Sequence, residues 1–407
     1  MIIGSGSSAM RGTLYREAVP PAAVTDDAGT ELVTLLSELV AFPTESTRPN
    51  IDLIRWVADH VESNGGRALV LNGAEGRANL LASFGPRRRG GLMLSGHTDV
   101  VPAGSGWASD PYSVTKVGDS LYGRGTADMK GFIAAAIRTV EQFRDVELTR
   151  PLHLALSFDE EVGCIGVRDA LPVIAERDDL RPDLVIIGEP TMMRPRHSHM
   201  GKLAHEIVCI ASAAHSSLSH SKPSAIASAA RLINVIEQLQ ERYRPVGEPE
   251  VTFNCGMITG GSALNVIAPR CSFTFEIRHT VDHDPDVVLR PLWDAVDRER
   301  VHLAATDGSV EVSEITRYPA LRTAADDPWL HVVERIADAG PATSIGFGTE
   351  GGLFAEAIDA SVVICGPGDI AVAHRPDEYV DVEQLLRCER FLCGLVQQIC
   401  VDPAAEG

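Results

Sequence analysis

Four short apolar runs, Leu92–Gly96, Leu152–Phe158, Leu184–Gly188 and Ser361–Cys365, set the frame for this chain. Each is too short for a helix and lacks polar alternation, which is the pattern of a strand covered on both faces. Further strand-like segments stand at Ala68–Leu71 and Asn79–Ala82. Between and around the runs, apolar residues recur at helical spacing. They predict helices over 27–63 (broken at Phe42-Pro43-Thr44), Met129–Phe143, Val167–Ala175, 327–338 and 381–399. Strands alternating with helices predict an α/β domain around a central mixed sheet, assigned to 27–193 and 323–402.

After Pro190 the rhythm changes. Leu203–Ala211, Val251–Met257, Cys271–Arg278 and Val310–Ile315 read as strands, with helices at Ser224–Tyr243 and near Asp286–Val296. A small antiparallel sheet with two helices on one face is an α+β arrangement, so 194–322 is expected to be an inserted second domain. Residues 1–26, Gly- and Ser-rich at the start, are expected to form a partly disordered N-terminal extension.

A formal net charge of −20 disfavours nucleic acid and anionic membrane surfaces as partners. No apolar run approaches the roughly 18 residues of a membrane span. The eight cysteines include no C-x-x-C pair, and several sit inside apolar runs, as Cys209 and Cys365 do. Reduced, mostly buried thiols in a cytoplasmic protein are expected.

The chemistry gathers where the runs end. The first delivers Gly96-His97-Thr98-Asp99, an imidazole and a carboxylate two residues apart and so on one side of an extended chain. Such a pair lets the Asp orient a His that binds metal, although alone it is commonplace. Four other places repeat the theme: Asp128 in Gly123–Gly131, Asp159-Glu160-Glu161, Glu189 in Gly188-Glu189-Pro190, and His374 after Gly366-Pro367-Gly368. Any one acid at a strand end is ordinarily a helix cap or a solvated charge. Together they offer two imidazoles and several carboxylates, a donor mixture suited to zinc, cobalt or manganese. One ion needs only three protein ligands. The surplus points to two ions about 3.5–4 Å apart sharing a carboxylate, an arrangement used in hydrolysis.

The motifs Ser95–Val100, Gly123–Gly131, Ser157–Gly166, Gly188–Thr191 and Gly366–Val380 resemble those of the dinuclear-zinc aminoacylase/carboxypeptidase family. That family includes acetylornithine deacetylase and succinyl-diaminopimelate desuccinylase. The match runs in order over roughly residues 30–400. His374–Tyr379 and Gly348–Phe354 most resemble the acetylornithine deacetylase branch, with Asp369 standing where that branch more usually has Ser.

The resemblance implies that His97 binds one metal, His374 the other, and Asp128 bridges them. It gives Glu161 to the first site and Glu189 to the second, makes Glu160 the general base, and has Asp99 orient His97. Which of the adjacent Glu160 and Glu161 binds metal is not readable from the residues. In the inserted domain, His215 resembles the family's lid histidine, which stabilises the oxyanion and often serves the partner subunit's site. Asn265 and Arg278 resemble its substrate binders, and an Arg suits an α-carboxylate. The implied activity is metal-dependent deacetylation of N2-acetyl-L-ornithine. It would use two divalent ions, zinc first with cobalt able to substitute, in a homodimer formed through the lid. Desuccinylation, acyl-amino-acid hydrolysis and dipeptide cleavage are the rivals within the family. A non-catalytic binding protein on the same fold is the rival outside it.

Three other features are set aside. Gly346-x-Gly348-x-x-Gly351 lacks the ribose-binding acid of a dinucleotide site. His197, His199 and His205 have no neighbouring ligand run. Ser216-Ser217 beside His215 lacks the G-x-S-x-G elbow of a serine hydrolase.

Overall fold

The computed structural model describes residues 26–244, 247 and 249–402. The N-terminal extension expected at 1–26 lies, apart from Asp26, outside them. A nine-stranded mixed sheet forms the centre. Its middle four strands, Leu152–Ser157, Leu92–His97, Leu184–Pro190 and Ser361–Gly366, lie side by side and parallel. Ala78–Phe84 and Arg67–Asn72 extend one edge antiparallel, and Arg196–His199 with Leu321–Arg322 extends the other.

The continuity of the four apolar runs has a direct cause. Along Leu184–Ile187, Leu184 and Ile186 enter the core beneath the helices Asp26–Val40, Ile51–Ser63, Lys130–Gln142 and Val382–Val396. Val185 and Ile187 enter the opposite core, under Val167–Glu176 and Gly351–Ala357. Met93 and Ala155 repeat the alternation against Leu92, Leu94, Leu154 and Leu156. Both faces are apolar because both are covered, and no acid stands inside these four runs before their C-terminal ends.

A separate four-stranded antiparallel sheet, in the order Val251–Gly260, Arg270–His279, Gly201–Ile210, Ser309–Tyr318, carries its own core. The helices Ala225–Arg242 and Arg290–Ala304 cover one of its faces. The helix expected near Asp286–Val296 is two, Pro285–Val288 and Arg290–Ala304, because Pro291 opens a new helix at a position that needs no amide donor. The chain enters this layer after Met200 and leaves it at Tyr318, while the flanking strands Arg196–His199 and Leu321–Arg322 belong to the large sheet.

Three small elements carried too little apolar pattern to be foreseen. One is the three-stranded sheet of Thr115–Val117, Ser120–Tyr122 and Tyr379–Asp381. Another is the ribbon pairing Ala214–His215 with Val266–Ile267. The third is the strand Thr343–Ile345 beside Arg196–His199. Among the described residues no helix is long and apolar enough to cross a membrane.

The fit of helix to sheet is tight at Gly188, where an added Cβ would lie 2.0 Å from Phe132 Cγ. Gly188→Ala is expected to lower stability by about 1–3 kcal/mol through overpacking. Gly346→Ala, with open space around the new methyl, should stay within about 0.5 kcal/mol of the parent. Urea denaturation midpoints of the two variants check this.

Candidate active site

The C-terminal ends of the parallel strands bring the acids and imidazoles together, as expected for an α/β sheet. His97 is the last residue of its strand, Glu189 the penultimate residue of the next, and Glu160 and Glu161 follow Leu152–Ser157. Asp128 precedes the helix Lys130–Gln142, and His374 lies in the loop after Ser361–Gly366. Asp128 is the hub: its Oδ1 lies 3.1 Å from His97 Nε2 and its Oδ2 3.2 Å from His374 Nε2. Glu161 Oε1 stands 3.0 Å from His374 Nε2, and Glu189 Oε1 3.7 Å from His97 Nε2.

These contacts correct the expected pairing. Glu161 goes with His374 and Glu189 with His97, the reverse of the assignment implied by the sequence. The reason is strand order: Leu184–Pro190 lies beside Leu92–His97, which brings Glu189 to His97. Glu161 still falls within 4.8 Å of the ligand atoms of His97 and Asp128, so the cluster is continuous.

Asp99 orients His97, but through a different atom than expected. The imidazole Nδ1 lies 2.8 Å from the backbone oxygen of Asp99, whereas the carboxylate is 3.7 Å away. That contact leaves Nε2 for the centre of the cluster. The Asp99 carboxylate instead accepts hydrogen bonds from Ser46 Oγ at 2.8 Å and the Glu160 N–H at 3.0 Å, and so holds the acidic loop.

The electrostatics show a surplus of buried negative charge. Burial pushes the Glu160 and Glu189 carboxyls well above their ordinary values, and the neighbouring acids add to it. For His97, burial works downward, but Asp128, Glu189 and Asp99 outweigh it and hold the imidazole well above its ordinary value. Hydrogen bonds to Asp128 and Glu161 raise His374 to about 10. The donor set of two imidazoles and several carboxylates suits a divalent ion.

A cleft of about 400 Å³ opens over the cluster. Asp128, Glu160, Glu161, Glu189 and His374 line it from the large sheet, and Arg278 from the small one. His215 and Asn265 do not line it. They sit together on the two-stranded ribbon, exposed, with Ser216 N–H donating to the Asn265 carbonyl at 3.0 Å. His205 stacks on Phe275 and meets Trp293 edge-on in the small sheet's layer.

Residues 93–398 match peptidase family M20/M25/M40. The chain belongs to that family. It is similar to the acetylornithine deacetylase of Myxococcus xanthus, 34% identical over 382 residues, covering 90% of this chain and 96% of that protein. The acetylornithine deacetylase of Pasteurella multocida is 31% identical over 383 residues, covering 90% and 97%. Among solved structures, an M20 family metallo-carboxypeptidase from Sulfolobus solfataricus superposes with a TM-score of 0.73 at 18% identity, covering 90% and 98%. A Bacillus subtilis protein described as a dinuclear metal binding peptidase of the M20 family gives 0.66 at 15% identity, covering 90% and 97%. Like its family, this M20 chain is a hydrolase of amide bonds, and its acidic cluster is a possible metal site.

Two supporting residues went unread in the sequence. Glu378 Oε1 accepts the backbone N–H groups of Ala127 and Asp128 at 3.0 and 3.1 Å, fixing the hub. Its Oε2 pairs with Arg124 at 2.7 Å, with 2% and 1% of the two side chains exposed. Burial and the charge of Asp128 push the Glu378 carboxyl up, and Arg124 pulls it down. Both belong to motifs noted above, but 254 residues separate them, and nothing local reveals the pair. Glu350, also buried, accepts from Ser157 Oγ at 2.5 Å, and burial pushes its carboxyl up to about 7.

Arg124→Met leaves Glu378 buried without its cation and is expected to cost about 3–5 kcal/mol, read from urea denaturation. Metal uptake should carry the sign of the proton load. In the metal-free protein His374 keeps its proton up to about pH 10, and a ligand imidazole must lose it. Binding zinc at pH 7 is therefore expected to release protons, and affinity to rise with pH, as calorimetry in buffers of different ionisation enthalpy would show.

Proposed function

We propose that this chain hydrolyses the amide of N2-acetyl-L-ornithine, giving L-ornithine and acetate. One observation carries the reading. Two imidazoles, a shared aspartate and two flanking glutamates converge on one cleft, in a chain 31–34% identical over about nine-tenths of its length to proteins named acetylornithine deacetylase.

In this reading His97, Asp128 and Glu189 hold one divalent ion, and His374, Asp128 and Glu161 the other. Zinc is the first choice, and cobalt is able to substitute. When bound, the ions polarise the scissile carbonyl and lower the pKa of water toward neutrality. Glu160, at the cleft wall, accepts the proton of the attacking water and passes it to the leaving amine nitrogen. Arg278 binds the α-carboxylate of the amino-acid portion. His215 and Asn265, outside the cleft of their own chain, serve the site of a second copy, where His215 stabilises the oxyanion and Asn265 binds substrate, in a homodimer formed through the small sheet's layer.

Glu160→Gln is expected to bind metal and fold as the parent does while losing about 10²–10⁴-fold in kcat. Near-parental turnover would remove Glu160 from the mechanism. The reading as a whole is tested by stripping the protein with chelator, restoring zinc or cobalt, and assaying amine release from N2-acetyl-L-ornithine and N-succinyl-diaminopimelate. Metal-dependent turnover of the acetyl compound alone supports the proposal. Turnover of the succinyl compound alone, or of neither, overturns the substrate, and a protein that binds no metal overturns the mechanism.

A further inference from the structure

The small sheet contributes a second cation to the cleft, Lys202. Along Arg270–His279 the side chains alternate. Phe273, Phe275 and Ile277 pack under the helices, while Glu276 and Arg278 stand on the helix-free face. Lys202, on the neighbouring strand, is the direct antiparallel partner of Arg278. Like charges placed directly opposite one another destabilise a strand pair, so the fold does not account for this choice. Nor does stability, since partly exposed ion pairs of this kind contribute about 0–1 kcal/mol.

A single carboxylate ties the pair together. Glu276 Oε2 lies 2.8 Å from Lys202 Nζ, and its Oε1 3.3 Å from Arg278 Nε. Against the upward push of burial, the two cations hold the Glu276 carboxyl below its ordinary value. Glu276 does not itself line the cleft, whereas Lys202 and Arg278 do, opposite Glu160 and Glu161. Two cations and one anion leave a net charge of +1 on this wall. Among the described residues, Arg278 is engaged through Nε alone and Lys202 through one contact, so both keep donors for a ligand. Ile315, Phe347 and Ile370 line the cleft as well and offer apolar contact to the rest of a substrate.

We propose that Lys202 and Arg278 form a two-cation clamp for the substrate's α-carboxylate, with Glu276 as the template that sets their spacing. The clamp makes a free carboxylate next to the scissile amide a requirement, and so selects N-acyl amino acids over internal peptide bonds and simple amides. This rests on the amino-acid substrate proposed above. Lys202 is a binding residue, and Glu276 a positioning residue that acts through it.

The test uses the full-length, zinc-loaded protein. Lys202→Met keeps the length of the side chain and removes its charge, and Lys202→Arg keeps the charge. Binding of N2-acetyl-L-ornithine and of its α-carboxamide is measured by calorimetry on a Glu160→Gln background, where ligand persists, and KM and kcat on the native background. Lys202→Met is expected to weaken carboxylate binding and raise KM by about tenfold to a hundredfold, with kcat held within about twofold. The carboxamide should bind both forms alike, and Lys202→Arg should restore most of the affinity. Equal affinities of Lys202→Met and its parent for the carboxylate, or equal weakening of both ligands, overturns the clamp. Turnover by the native protein reports on the proposed function separately. If it hydrolyses the acetyl compound and Lys202→Met is unaffected, only the clamp fails. If neither ligand binds the parent, the substrate and the clamp's occupant fail together.

Discussion

Buried negative charge at the ends of four parallel strands is the constraint on which the rest of this structure depends. Carboxylates are rarely buried without partners because the desolvation cost is high. Here five of them, Asp99, Asp128, Glu160, Glu189 and Glu350, are at least nine-tenths buried around two imidazoles. The surrounding protein is organised to hold this arrangement. The Asp99 carboxylate fixes the loop that carries Glu160, and the Glu378 carboxylate fixes the backbone of the hub Asp128. Arg124, enclosed beside Trp107, neutralises Glu378 in turn. Asp128 and Glu160 are thus each placed by another group one step further out.

The sequence shows the fold clearly because both-face burial writes itself into composition. Leu184–Ile187 carries no polar residue, and the first acid after it, Glu189, marks its end. The same logic fails for short edge elements. Tyr379–Asp381 and Ala214–His215 bury too little on either face to leave a pattern, and their positions follow from pairing across the chain.

Within the site, the gathering of residues was legible and their pairing was not. His97, Asp128, Glu161, Glu189 and His374 converge as the motifs suggest, yet which glutamate meets which imidazole depends on strand order, which the linear sequence does not carry. Asp99 shows the same limit at atomic scale. Its spacing from His97 is right, but the backbone oxygen takes the imidazole and frees the carboxylate for the loop. Arg278 reached the cleft as expected. Lys202 was hidden by its setting in an otherwise ordinary strand, and only the cross-strand register places it beside Arg278.

The two walls of the cleft are built on different hydrophobic cores. The acids and imidazoles rest on the large sheet, and the cations on the four-stranded one. The proposed bond-breaking apparatus and the proposed carboxylate clamp are therefore stabilised by separate sets of apolar contacts. If the clamp selects the substrate as proposed, substitutions that repack the smaller core can retune that choice while the acidic centre stays intact. On such a scaffold one hydrolytic centre can acquire new substrates without being rebuilt.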